Sequence, residues 1–158
     1  MTRDLLIAWL NDAYAMERAH VQSLNKYLKD FKDYLDIHSE LRSYLADTEE
    51  TVGDLEDTIT ALGGRVLRLP FKDTYLIPAE NAGMYHDELV KDILAMYTAE
   101  HFGYISYSAL AEAANAMEED EVADLCERAA DNKRIMADWA EEQLPAVVVT
   151  CINANAEE

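Results

Sequence analysis

The chain has 158 residues, which suits one domain with a substantial hydrophobic core. With 5 Gly and 3 Pro, and with abundant Ala, Leu, Glu and Asp, the composition reads as mostly helical. The 32 acidic residues against 13 basic ones give a net charge of −19, which argues against nucleic acid or an anionic membrane as a partner.

The first helix is expected over residues 3–30, with Thr2 as its N-cap. Leu6, Leu10, Ala13, Glu17, His20, Leu24 and Tyr27 step by four and three, which puts them on one inward-facing side. A break at residues 29–33 follows, and Asp33 is placed to cap the next helix. The second helix carries Leu41, Leu45, Thr48, Val52, Leu55, Ile59 and Leu62 in the same steps and stops at Gly63 and Gly64. Residues 65–82, with Pro70 and Pro78, have no periodicity and enough length to cross the bundle, with room for a short extra helix.

The third helix is expected over residues 84–117, with Leu89, Ile93, Met96, Glu100, Gly103, Tyr107 and Leu110 on one face. After the acidic turn Glu118, Glu119, Asp120, a fourth helix carries Val122, Leu125, Ala129, Asn132, Met136 and Trp139 and ends before Pro145. This gives a bundle over residues 1–145 and a C-terminal tail over 146–158. The apolar run at residues 146–149 is far too short to span a bilayer and suits capping the core or meeting another subunit.

Two antiparallel hairpins joined by a long crossover make an all-α, ferritin-like four-helix bundle. Counted from the two short turns, Glu17 lies level with Asp47 and Thr48, and Glu100 level with residues 131–133. A carboxylate inside an apolar stripe is costly to bury unless something meets it. Glu17, His20, Asp47, Thr48, Glu100, Asn132 and Lys133 are therefore expected to form a polar cluster in the core.

A dinuclear Fe or Mn site in such a bundle takes a Glu from two helices and Glu-x-x-His from the other two. Glu17 and Glu100 suit the single-Glu role, but the fourth helix has no His and His38 lies far from the central layer. The one Glu-x-x-His runs from Glu17 to His20, on the first helix. Lys133 is the telling residue. Its ammonium would repel two metal cations, whereas beside Glu17 and Glu100 it neutralises them without metal. The leading expectation is a cluster with no cofactor. The alternative is a metal bound by Glu17, His20, Asp47, Glu50, Glu100 and Asp131. His38, His86 and His101 read as surface or packing residues, and Tyr14, Tyr44, Tyr97, Tyr104 and Tyr107 as core and interface material.

Cys126 and Cys151 form no CxxC, and residues 1–4 lead straight into a helix, so a cytoplasmic protein with reduced thiols is expected. The strong acidity would also suit a high-salt cytoplasm, where screening relieves self-repulsion.

Residues 10–17 (Leu-Asn-Asp-Ala-Tyr-Ala-Met-Glu), 87–91 (Asp-Glu-Leu-Val-Lys), 99–102 (Ala-Glu-His-Phe), 105–107 (Ile-Ser-Tyr) and 139–145 (Trp-Ala-Glu-Glu-Gln-Leu-Pro) together resemble the YciE/YciF-like branch of the ferritin-like superfamily. The resemblance spans nearly the whole chain. It implies a rubrerythrin-like bundle, frequent dimerisation, an association with bacterial stress responses and a dinuclear metal site. By that resemblance Glu17 and Glu100 carry over as ligands, and Asp47 does so with a shorter arm. The departures fall at the metal positions. Relatives carry a His-and-Glu run where this chain reads Tyr44 to Thr51, a second acidic residue at Gly103, and Asp-Glu-Glu at Asn132, Lys133 and Arg134. The expected function is a stress-type, non-catalytic or structural bundle protein, a homodimer, whose dinuclear site is degenerate. The alternative is a dimetal carboxylate protein that oxidises or stores iron or removes peroxide.

Overall fold

The computed structural model describes residues 2–71 and 87–156. These form four helices: α1 (Thr2–Asp30), α2 (Leu35–Ala61), α3 (Glu88–Ala116) and α4 (Asp120–Ala156). Among the described residues there is no strand. α1 packs on α2 and α3 on α4, and α1 also meets α3. Among the described residues no helix is long and apolar enough to cross a membrane.

The expected stripes are the packed faces. All seven residues of the α1 stripe are buried, and on α3 only Leu89 is less than fully so. They feed two apolar clusters. One holds Leu6, Leu10, Leu55, Ile59, Leu110 and Cys126; the other holds Leu24, Phe31, Leu41, Ile93, Met96 and Met136. Burying each such side chain stabilises the fold by roughly 1.5–3 kcal/mol. On every helix, chain positions between the two clusters form the polar layer.

The ends of the helices depart from expectation in two places. Tyr34, not Asp33, precedes α2, and no side chain caps it. Burial of Leu41 and Tyr44 on α2 supplies what the missing cap does not. Pro145 does not end α4, which runs on to Ala156, so residues 146–156 continue the helix instead of forming a separate tail. A proline inside a helix loses one backbone bond and clashes with the previous turn. Here Ala140 before it and Val147 after it are buried in the same cluster, which offsets that cost. The expected start of α3 at residue 84, Pro78, His86 and most of the crossover lie outside the described residues.

The α2 stop is as read. Gly63 takes φ +84°, open to glycine at little cost, and Gly64 packs so closely that an added Cβ would lie 2.6 Å from Ile7 Cγ2. The crossover then starts along α1, where buried Asn11 donates to the Arg65 carbonyl at 3.1 Å and accepts from the Leu67 N–H at 2.8 Å. The sequence does not advertise this tie, since Asn11 lies just off the α1 stripe.

Candidate functional site

Each helix brings one turn to the polar layer. α1 contributes Glu17 and His20, one turn apart; α2 contributes Tyr44 and Thr48; α3 contributes Glu100; α4 contributes Lys133. All six are buried, with Glu17 at 1% and Glu100 at 0% exposure. Lys133 Nζ lies 2.6 Å from Glu17 Oε1 and 4.0 Å from Glu100 Oε2. His20 Nε2 lies 2.7 Å from Glu100 Oε1, and the Tyr44 hydroxyl donates to Glu100 Oε2 at 2.5 Å. The Lys133–Glu17 and His20–Glu100 approaches are short, though neither has the angles of a well-directed hydrogen bond. Tyr44 also meets the His20 ring edge-on with centroids 5.5 Å apart, and its own ring lies 5.5 Å from Lys133 Nζ.

The electrostatics are those of a compensated set. Burial alone would push the Glu100 carboxyl up. Lys133, His20 and the Tyr44 hydroxyl outweigh it and hold Glu100 below the ordinary glutamate value. Burial would likewise pull Lys133 down, but the Glu17 and Glu100 carboxylates hold it above the ordinary lysine value. Lys133 is therefore an ammonium in the core. Burial, reinforced by the same carboxylates, raises the Tyr44 and Tyr107 phenols well above their usual range, so both stay protonated. The Tyr107 hydroxyl is buried without a hydrogen-bond partner among the described residues.

Of the seven expected cluster members, Glu17, His20, Glu100 and Lys133 come together. Thr48 faces inward but spends its hydroxyl on the Tyr44 carbonyl, 2.8 Å away. Asp47 and Asn132 are corrections. Both are exposed, one residue around the helix from the inward-facing Thr48 and Lys133, and they line a recess of about 10 Å³ at the rim of the cluster. Glu50 and Asp131, expected among alternative metal ligands, are exposed as well. The level was right and the face was wrong by about 100°, the angle between neighbours on a helix. Tyr44 was missed as a site residue; its place one turn before Thr48, on the same stripe, is the signal that would have found it. Tyr107, expected as packing material, also turns its hydroxyl into the buried interior. His101 is exposed and packs on Tyr97, as its position beside the α3 stripe suggests.

The room for Lys133 comes from α3. An added Cβ at Gly103 would stand 2.9 Å from Lys133 Cδ and 3.1 Å from Cε. The absent side chain lets the lysine stem lie against the α3 backbone and carry its ammonium to the carboxylates. On the other side, a cavity of about 70 Å³ lined by His20, Ser23, Tyr27, Phe71, Ala95 and Lys133 reaches the cluster between α1 and α3. Among the described residues, no three His, Cys, Asp or Glu side chains are grouped so as to hold a metal ion.

This bundle has solved counterparts. A protein from Xanthomonas campestris pv. campestris superposes with a TM-score of 0.83 at 27% identity, over 98% of each chain. A structure described as ferritin-like, diiron-carboxylate proteins from Bacillus anthracis gives 0.71 at 16% identity, over 91% of this chain and 98% of that one. The E. coli stress protein YciF gives 0.74 at 15% identity, over 94% and 97%. At these identities the last two establish the ferritin-like fold. Residues 1–153 match the family described as Domain of unknown function (DUF892), and the chain belongs to that family.

Proposed function

We propose that this protein is a ferritin-like bundle whose dinuclear site is degenerate, with a Glu–Lys–Glu–His cluster where the fold would hold two metal ions. Its role is then structural or binding, without redox catalysis at this layer. One observation carries the reading: the Lys133 ammonium sits 2.6 Å from Glu17 and 4.0 Å from Glu100, the two carboxylates best suited to bridge metals. A cation there answers the same charge a metal would, and it repels one. The donor set does not fit a dinuclear centre. α2 presents Tyr44 and Thr48 inward where a Glu and a His are needed, and the acids Asp47, Glu50 and Asp131 face solvent. The E. coli relative is called a stress protein, and a stress-related role is proposed here by that likeness.

The test is elemental analysis of the natural protein after exposure to Fe(II) or Mn(II) and gel filtration. The reading expects well under one metal per chain. Near two equivalents per chain would replace it with the dimetal carboxylate reading, iron oxidation or peroxide removal. We also propose a cytoplasmic homodimer, supported by the free thiols Cys126 and Cys151 and by exposed Val149 and Ile152 near the end of α4. Light scattering at high protein concentration that returns a monomer mass in both low and high salt would overturn the dimer.

A further inference from the structure

Away from the polar layer, α1, α3 and the start of the crossover enclose a cavity of about 280 Å³ with an aromatic wall. Trp9 comes from α1, Phe102 from α3 and Phe71 from the crossover, with the two phenylalanine rings 6.0 Å apart at 52°. Trp9 stays 39% and Phe102 47% exposed, a costly way to leave two large rings unless something meets them. Met16 helps to floor the cavity. Two polar side chains stand among these: Ser106, one turn after Phe102, and Asp12, one turn after Trp9.

Asp12 makes no ion pair with any described residue. Its helical neighbours at three and four residues are Ala8, Trp9, Ala15 and Met16, so α1 itself offers no cation. A carboxylate with no cationic partner among the described residues, at the edge of a cavity lined by three aromatic side chains, is a specific chemical combination. The negative ring faces and the carboxylate both attract a positive centre, while the walls reward alkyl groups around it. A hydrated metal ion suits neither the apolar walls nor a lone carboxylate. A neutral apolar guest would leave Asp12 half-covered and unpaired.

We propose that this aromatic-walled cavity binds a small organic cation of the alkylammonium class, with Trp9, Phe71 and Phe102 around the cationic group and Asp12 as its counter-charge. The volume admits a guest of a few heavy atoms, near the lower end of small-molecule sites. The net charge of −19 raises the local concentration of any such cation and speeds its approach.

The test is calorimetric titration of the full chain at fixed ionic strength with two guests of the same shape. Choline carries a trimethylammonium group, and 3,3-dimethylbutan-1-ol carries an uncharged tert-butyl group in its place. Saturable binding of one choline per chain is expected, roughly tenfold or more tighter than the neutral alcohol. Asp12→Asn, an exposed change that leaves the core untouched, should weaken choline about tenfold and leave the alcohol as it was. Phe102→Leu keeps the wall apolar, removes a ring face and should weaken choline selectively. Equal binding of the two guests, no saturable choline signal, or full choline affinity in Asp12→Asn would each overturn the proposal.

Discussion

Gly103 and Lys133 are complementary: a Cβ on Gly103 would stand 2.9 Å from Lys133 Cδ, closer than carbon atoms pack. Lysine at 133 therefore depends on the absence of a side chain at 103. These are two of the positions where the sequence departs from the pattern its family resemblance implies, and in the bundle they are neighbours. The resemblance implies an acid at both positions, where this chain has a glycine and a lysine. The glycine leaves the space that the lysine stem fills.

Gly103→Ala should then destabilise the fold although alanine favours helix by about 1 kcal/mol over glycine. Overpacking against a tethered lysine costs about 1–3 kcal/mol, so a net loss of up to about 2 kcal/mol is expected in urea unfolding. A stabilised Gly103→Ala protein would mean that the Lys133 stem moves aside freely.

Tyr44→Phe removes the hydroxyl that donates to Glu100 Oε2 at 2.5 Å. The ring still fills its place, so the change isolates one hydrogen bond to a buried carboxylate. A loss of about 1.5–3 kcal/mol in urea unfolding near neutral pH is expected. A loss below about 0.5 kcal/mol would show that His20 and Lys133 alone satisfy Glu100.

A separate acid pair ties α1 to α3 and sets a pH dependence. Lys26 Nζ contacts Asp92 Oδ1 at 2.7 Å and Asp30 Oδ2 at 2.8 Å. Burial, then the neighbouring Asp30 carboxyl, raises the Asp92 carboxyl to about 7. The unfolded chain releases this proton near its ordinary value of 3.8, so between about 4 and 7 the folded state holds one proton more. Stability should therefore fall through that window by at most roughly 1.4 kcal/mol per pH unit, and this contribution should level off above it. Asp92→Asn should remove the slope and be the more stable protein at pH 8. An unchanged slope in Asp92→Asn would assign the pH dependence to other groups.

The helices and their inward faces were legible because apolar residues dominate each stripe and glycines mark the end of α2. The polar layer was legible in level, since the two short turns fix the register of each hairpin. Its membership was only partly so. On α4 the four-and-three spacing selects Asn132, whereas charge compensation, the ground on which Lys133 is expected in the cluster, brings the lysine inward beside Glu17. On α2 the stripe already selects Thr48, and Asp47, its neighbour in the chain, faces out. Tyr44 was hidden by being ordinary core material by composition. Pro145 misled for a related reason: a local rule ends the helix, and the burial of Val147 beyond it keeps the helix going.

The most direct test of the compensated cluster is a double-mutant cycle on Lys133 and Glu17, followed by urea unfolding. Lys133→Met keeps the apolar stem and removes the ammonium, leaving two buried carboxylates with His20 and the Tyr44 hydroxyl as their nearest polar partners. A loss of about 3–5 kcal/mol is expected, with much of it recovered when Glu17→Gln is added. A loss near 0.5 kcal/mol for Lys133→Met, with no recovery in the pair, would contradict the account. It would mean that the carboxylates of this layer are compensated by something other than Lys133.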